Sequence, residues 1–157
     1  MALSKNCLSE VIIDDSIVLS PSPESLQDRQ MAIHDLLEGN SFTLSNGMDG
    51  PYALRLSSMD NRLIFDLSSV TGKFAVGLSL SPFRRIVKDY FQICDSYNQA
   101  VQSSNPQQIE TIDMARRALH NEGSTLLQER LDGKAEMDFI TARRLFTLLC
   151  ALMWRSN

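Results

Sequence analysis

The fold of this chain is decided by residues 81–97, which read SPFRRIVKDYFQICDSY. Apolar residues recur there at steps of three and four, the spacing that places them on one face of an amphipathic helix. Ser81 can cap this helix, and Pro82 suits the first helical position, where the N–H that proline lacks would have no partner. We therefore predict a helix that begins at Ser81 and separates strands before it from helices after it.

The start of this helix carries two arginines, Arg84 and Arg85. Acidic residues are favoured in the first turn of a helix, because the free N–H groups there already form a positive end. The positive charges of Arg84 and Arg85 at this end, together with the hydroxyl of Ser81, predict a site for a small anion. The alternative is structural, since the acidic side chains of residues 1–80 outnumber the basic ones and can pair with these arginines.

The composition is that of one globular domain. A chain of 157 residues with 43% hydrophobic and 22% charged residues is long enough to bury a core without a metal or a disulfide. We predict a single domain over residues 1–157, mainly strands with one helix up to residue 80 and helical from residue 81. The net charge of −4 argues against broad nucleic-acid binding, which requires many phosphate contacts.

The three cysteines, Cys7, Cys94 and Cys150, lie far apart and form no C-x-x-C pair. They indicate reduced thiols rather than a disulfide framework, and we expect no metal and no cofactor. Residues 1–10 lack the pattern of a secretory signal, and the apolar run 145–154 is shorter than the ~20 residues of a membrane span. The sequence therefore predicts a cytoplasmic protein that is not embedded in a membrane.

Period-two patterns and turn residues predict four or five short strands before the central helix, mostly antiparallel. The predicted elements are a strand within 8–18, a helix from 26 to 38, a brief strand at 42–44, a hairpin of 52–58 and 62–67 around Asp60-Asn61, and a strand at 74–80. The hairpin should place Tyr52, Leu54 and Leu56 on one face.

Two further helices are predicted after the central one, which gives an α+β fold with a C-terminal bundle of three main helices. Asn105-Pro106 marks the start of the first, and a kink or break is expected near Gly123. Asp138 caps the last helix, which is apolar almost all round up to Trp154. Such a helix is either enclosed by the chain itself, which we favour, or shared across a homodimer interface.

A second cluster of polar residues lies in residues 115–123, ARRALHNEG. Arg116 falls on the apolar stripe of its helix, where a charge has to be paired or line a cleft. Arg116, Arg117 and His120 are therefore candidates for binding a ligand, while His120 and Glu122 are candidates for an acid and a base. The structural alternative is a buried ion pair beside a hydrogen-bonded histidine.

Three runs of this sequence resemble a family of small uncharacterised proteins from alphaproteobacteria: residues 82–91 (PFRRIVKDYF), 119–124 (LHNEGS) and 141–148 (TARRLFTL). The resemblance spans most of the chain and is strongest from Pro82 onward. It implies a bacterial cytoplasmic setting and supplies no activity, ligand or catalytic residue.

The sequence contains no phosphate-binding glycine loop, H-E-x-x-H or G-x-S-x-G motif, so nothing identifies it as an enzyme. We expect a binding or regulatory domain that contacts a protein partner or a small anion. The alternative is an enzyme for a phosphorylated or carboxylated metabolite, with an Arg/His/Glu cluster as its site. One open pocket that gathers Arg84, Arg116 and His120 would favour the enzyme or a ligand-binding site, whereas a salt bridge at each of them would count against both.

Overall fold

The structure is a computed structural model that describes residues 6–17, 23–103 and 105–153. It is an α+β fold, as predicted. Its elements are β1 (Leu8–Ile13), α1 (Pro23–Glu38), β2 (Phe42–Leu44), β3 (Tyr52–Met59), β4 (Arg62–Ser69), β5 (Gly72–Ser79), α2 (Arg84–Ser103), α3 (Pro106–Leu131), β6 (Ala135–Met137) and α4 (Phe139–Leu152). Within the described residues, no helix is long and apolar enough to cross a bilayer.

The main sheet has the strand order β1-β3-β4-β5. The strands β3, β4 and β5 form an antiparallel meander, and β1 joins its edge parallel to β3. The predicted hairpin is confirmed: Asp60 and Asn61 form its tight turn with φ of 50° and 62°, the left-handed conformation that two-residue hairpin loops require. Tyr52, Leu54 and Leu56 are all buried on the face covered by the helices.

Five strands precede α2, in agreement with the predicted four or five, and the described part of the chain adds a sixth after α3. The sequence interpretation missed β6, which pairs antiparallel with β2 in a separate two-stranded sheet. With three residues, β6 is too short to show a period of two, and its partner lies about 90 residues earlier in the chain. The strand predicted within 8–18 ends at Ile13, and residue 18 lies outside the described residues.

The central helix does not begin as predicted. A short 3-10 turn, Ser81–Phe83, precedes α2, and its capping position is Leu80, without a side-chain cap. The hydroxyl of Ser81 instead accepts a hydrogen bond from Nδ2 of Asn61 at 2.7 Å. Ser81 therefore connects the helix to the β3–β4 turn rather than capping it.

The predicted break near Gly123 is also wrong, because α3 runs without interruption through this residue. The glycine has a packing role instead. Gly123 is buried, and the ring of Phe146 from α4 lies directly against its Cα, so that a side chain at this position would overlap the ring. Glycine at this point lets α3 and α4 approach closely, which offsets its poor helix propensity.

The last helix, α4, is enclosed by the chain itself, and nine of its fourteen residues are buried. It packs against α1 and α3, and its leucines join the core beneath the sheet. Asp138 caps it as predicted, accepting a hydrogen bond from the Thr141 N–H at 2.9 Å. Trp154 lies outside the described residues, and a homodimer through this helix stays an untested alternative.

Gly123→Ala provides a test of the helix packing. In an ordinary helix interior this change stabilises by about 0.5–1 kcal/mol. Here we expect the opposite sign, a loss of about 1–3 kcal/mol or more, because the methyl group overlaps the Phe146 ring. Chemical denaturation measures the difference, and Asn121→Ala at an exposed position of the same helix is the control. A stabilised Gly123→Ala variant would show that α3 and α4 are not in this contact.

Candidate functional site

An open pocket of ≈ 450 Å³ lies where α2, α3 and α4 meet. Four of its lining residues are arginines, two from each of α3 and α4, and none of the lining residues is acidic. They are Tyr90 from α2, Arg116, Arg117 and His120 from α3, and Ile140, Arg143, Arg144 and Thr147 from α4.

The helical repeat brings these side chains together. Arg116 and His120 are four residues apart on α3, and Arg143 and Thr147 are four apart on α4, so each pair lies on one side of its helix. The close approach at Gly123 and Phe146 turns these two sides toward each other. The first turn of α4 also lies at the pocket through Ile140.

His120 forms the floor of the pocket and is only 8% exposed. Its Nε2 lies 2.7 Å from Oγ1 of Thr147, and the Thr147 hydroxyl donates its one hydrogen to the Arg143 carbonyl at 3.1 Å. Nε2 must therefore carry the proton and donate to Thr147, which leaves Nδ1 unprotonated. Nδ1 is buried and has no hydrogen-bond partner among the described residues.

Burial lowers the pKa of His120 to about 4, and the positive charges of Arg143 and Arg116 contribute to the shift. The rings of Tyr90 and Phe146 enclose the imidazole edge to face, with centroid distances of 5.3 Å and 5.2 Å. The side chain is therefore neutral at pH 7 and adds no charge to the pocket.

The two arginines of α3 share one carboxylate. Asp113 accepts hydrogen bonds from Nε and Nη2 of Arg116, and its other oxygen lies 3.2 Å from Nε of Arg117. The hydrogen bond from Arg116 holds the pKa of Asp113 below its usual value, so the carboxylate stays charged. The guanidinium of Arg116 also lies over the ring of Tyr97, 4.7 Å from its centroid. Both arginines are therefore held in place on α3.

The two arginines of α4 have no acidic partner among the described residues. Nη1 of Arg144 donates to the Gly39 carbonyl at 2.5 Å, which connects α4 to the end of α1. The exposed guanidinium of Arg143 makes no hydrogen bond and no ion pair with any described residue. Arg143 is therefore the cation that is most available to a ligand.

The structure brings together three of the predicted ligand-binding residues, Arg116, Arg117 and His120, and places the others elsewhere. Arg84 donates from Nη2 to Oδ1 of Asn61, the same side chain that binds Ser81. Arg85 is exposed at the start of α2, and neither arginine of α2 lines the pocket. Their role as an anion site stays a prediction.

Glu122 is exposed and does not line the pocket, so it is not positioned beside His120 as a partner in proton transfer. Cys150 is buried, and burial, followed by the neighbouring Cys94, raises the pKa of its thiol. A protonated thiol is a poor nucleophile. Neither Glu122 nor Cys150 therefore joins His120 at the pocket.

The sequence interpretation missed Arg143, Arg144, Thr147 and Tyr90. The sequence does contain a signal for Arg143, Arg144 and Thr147. Residues 115–120 read ARRALH, and residues 142–147 read ARRLFT. The second run places two arginines and a polar residue at the same spacing as the first. Both helices thus present the same pattern of side chains, which becomes meaningful only when they are seen to pack side by side.

The described residues hold one group with the spacing of metal ligands, formed by His34, Asp35 and Glu38 on α1. All three side chains are exposed, and such acidic surface groups are common without a bound ion. We assign no metal to this group.

A model of the uncharacterised protein family UPF0262 matches residues 5–155. The chain belongs to this family. A UPF0262 protein from Paracoccus denitrificans is 57% identical over 160 residues, covering 98% of this chain and 99% of that protein. One from Caulobacter vibrioides strain NA1000 is 54% identical over 154 residues, covering 98% and 97%. No solved structure matches the chain. The resemblance to a family from alphaproteobacteria is thereby confirmed.

The protonation state of His120 in this UPF0262 member can be measured by NMR. The chain has two histidines, and His34→Gln leaves His120 as the sole imidazole. Because its pKa is about 4 in the fold, we expect its ring signals to stay constant from pH 8 to pH 5.5. A midpoint near the model-compound value of ~6.5 would show that the ring is not buried as described.

The protonation of His120 also changes the free energy of unfolding, and the direction of this change with pH can be predicted. Because the pKa of His120 is lower in the folded chain than in the unfolded chain, protonation of this ring favours unfolding. The stability associated with the neutral ring is therefore fully present above pH ~6.5 and is lost as the pH falls to about 4. For a shift of this size the loss is on the order of 3 kcal/mol. His120→Gln should reduce the slope of unfolding free energy against pH in this window, and an unchanged slope would contradict the assignment.

Proposed function

We propose that the arginine-lined pocket binds a small anion and that the protein is a non-enzymatic binding or regulatory domain. The observation that carries this proposal is the meeting of Arg116, Arg117, Arg143 and Arg144 at one pocket that no acidic residue lines. Like charges in one cleft repel each other, and an anion between them relieves this repulsion. A phosphate or carboxylate group matches the planar donor array of arginine.

The site is rigid, which favours binding. Asp113 and the Tyr97 ring orient the α3 arginines, and the Gly39 carbonyl orients Arg144. Side chains that are already held lose little conformational entropy when a ligand arrives. Arg143 alone retains its freedom and can close onto the anion. The pocket thus combines three positioned cations with one adaptable cation.

The geometry supports binding over proton transfer at this site. His120 is neutral, its Nε2 proton is donated to Thr147, and its Nδ1 is buried away from the pocket surface. A general acid or base must reach the ligand within hydrogen-bond distance. We therefore assign His120 a positioning role, in which it holds Thr147 and the floor of the pocket.

The cellular setting that we propose is the bacterial cytoplasm. Cys7, Cys94 and Cys150 form no disulfide among the described residues, which is typical of a reducing compartment, and the family members compared come from alphaproteobacteria. The net charge of −4 supports a small anion rather than a nucleic acid as the partner, because broad nucleic-acid binding requires many phosphate contacts and the pocket holds four arginines. The protein is proposed to act as a monomer, with a homodimer through α4 as the alternative.

Thermal unfolding with added phosphate tests this proposal. A ligand at 100 times its Kd adds about 2.7 kcal/mol of stability, so phosphate should raise the Tm in a saturable manner. Arg143→Gln should remove at least half of this saturable shift, because it deletes the unpaired guanidinium. Arg85→Gln is the matched control, since it removes an exposed arginine outside the pocket and should leave the shift intact.

Phosphate also stabilises proteins by exclusion from their surfaces, and this general effect does not saturate at low concentration. The measurement therefore uses low millimolar phosphate in chloride of constant ionic strength. Loss of the shift in Arg85→Gln but not in Arg143→Gln would assign the anion to the start of α2 instead. Equal shifts in both variants would reject the pocket as the site.

A further inference from the structure

The charge and size of the pocket point to a more specific ligand. We infer that it is built for a diphosphate group, two linked phosphoryl groups that bridge the arginines of α3 and the arginines of α4. This inference rests on the proposed anion-binding function. It adds the chemical class of the ligand and a distinct role for each pair of arginines.

The charge balance of the site favours more than one anionic group. Four arginines line the pocket, and Asp113, which pairs with Arg116 and Arg117, offsets one of their charges. One phosphate ester carries about −1.5 to −2 at pH 7, which leaves part of the remaining charge unmatched. Two linked phosphoryl groups, with about −3 in total, match it closely.

The division of the arginines between two helices favours an elongated anion. Arg116 and Arg117 lie on one wall, and Arg143 and Arg144 lie on the other. Each guanidinium offers five N–H donors, and the contacts described above use one or two donor atoms of Arg116, Arg117 and Arg144 and none of Arg143. Both walls thus retain unused donors, and a ligand with an anionic group at each wall can engage both.

The volume of the pocket is consistent with a ligand larger than one phosphate. Its ≈ 450 Å³ falls within the range of about 300–1,000 Å³ that is typical of small-molecule sites. Besides the arginines, His120 and Thr147, the lining contains Ile140, which is 59% exposed, and Tyr90. An organic group attached to the diphosphate would lie on these two side chains.

Calorimetric titration of the full-length chain tests the inference. The probes are orthophosphate, sulfate, citrate, pyrophosphate and a nucleoside diphosphate, each in chloride buffer of equal ionic strength and without divalent cations. We expect pyrophosphate to bind at least tenfold more tightly than orthophosphate or sulfate. Arg117→Gln and Arg143→Gln, one from each wall, should each abolish this preference, while Arg130→Gln, at an exposed position of α3 outside the pocket, should retain it.

The outcomes separate the two proposals. Equal affinity for orthophosphate and pyrophosphate, weakened in both cases by Arg143→Gln, would overturn the diphosphate inference and retain the anion site. Tighter binding of citrate than of pyrophosphate would also overturn it. Anion binding that is unaffected by Arg143→Gln would overturn both proposals. Pyrophosphate and the nucleoside diphosphate are the two candidate sources of the diphosphate group. If the nucleoside diphosphate binds more tightly than pyrophosphate, and Ile140→Ser lowers its affinity to that of pyrophosphate, the ligand is an organic diphosphate.

Discussion

The contact between the Phe146 ring and the Cα of Gly123 determines how the helices of this protein are arranged. A helix that is apolar on most of its surface must be enclosed, and α4 is enclosed by α1, α3 and the sheet. The approach of α3 depends on the one position that has no side chain, because any Cβ at residue 123 would overlap the ring. Phe146 in turn supports the rings of His120 and Tyr90. The hydrophobic core and the polar pocket are therefore connected through one aromatic side chain.

The pocket follows from this packing and carries an electrostatic cost. Four guanidinium groups in one cleft repel one another, and the protein reduces this cost through Asp113 and through a histidine that is kept neutral. A charged imidazole would add a fifth cation beside Arg116 and Arg143. Residual positive charge that is held in place by surrounding contacts is typical of a site that is completed by an anion.

The sequence predicted much of the fold and part of the site. Regular spacing of apolar residues identifies the strands within residues 52–80 and the helix after residue 81 correctly, because each of these elements buries one face. Strand β6 was missed because three residues carry no pattern and its partner β2 is far away in the chain. The sequence predicts a kink or break near Gly123 because a glycine disfavours helix locally, whereas the packing role of this residue becomes visible only beside Phe146. Arg143 and Arg144 were missed for the same reason, since a site shared between two helices depends on tertiary contacts that periodicity does not encode.

NMR of the arginine side chains shows whether arginines from two helices bind one anion. Pyrophosphate is titrated into the ¹⁵N-labelled protein, and the Nε–Hε signals are assigned by single Arg→Lys variants. We expect saturable shifts, with one common Kd, for the four arginines that line the pocket: Arg116, Arg117, Arg143 and Arg144. Arg84 and Arg85 should be unaffected. Shifts confined to Arg84 and Arg85, or different affinities for the arginines of α3 and α4, would show that the two helices do not share one anion.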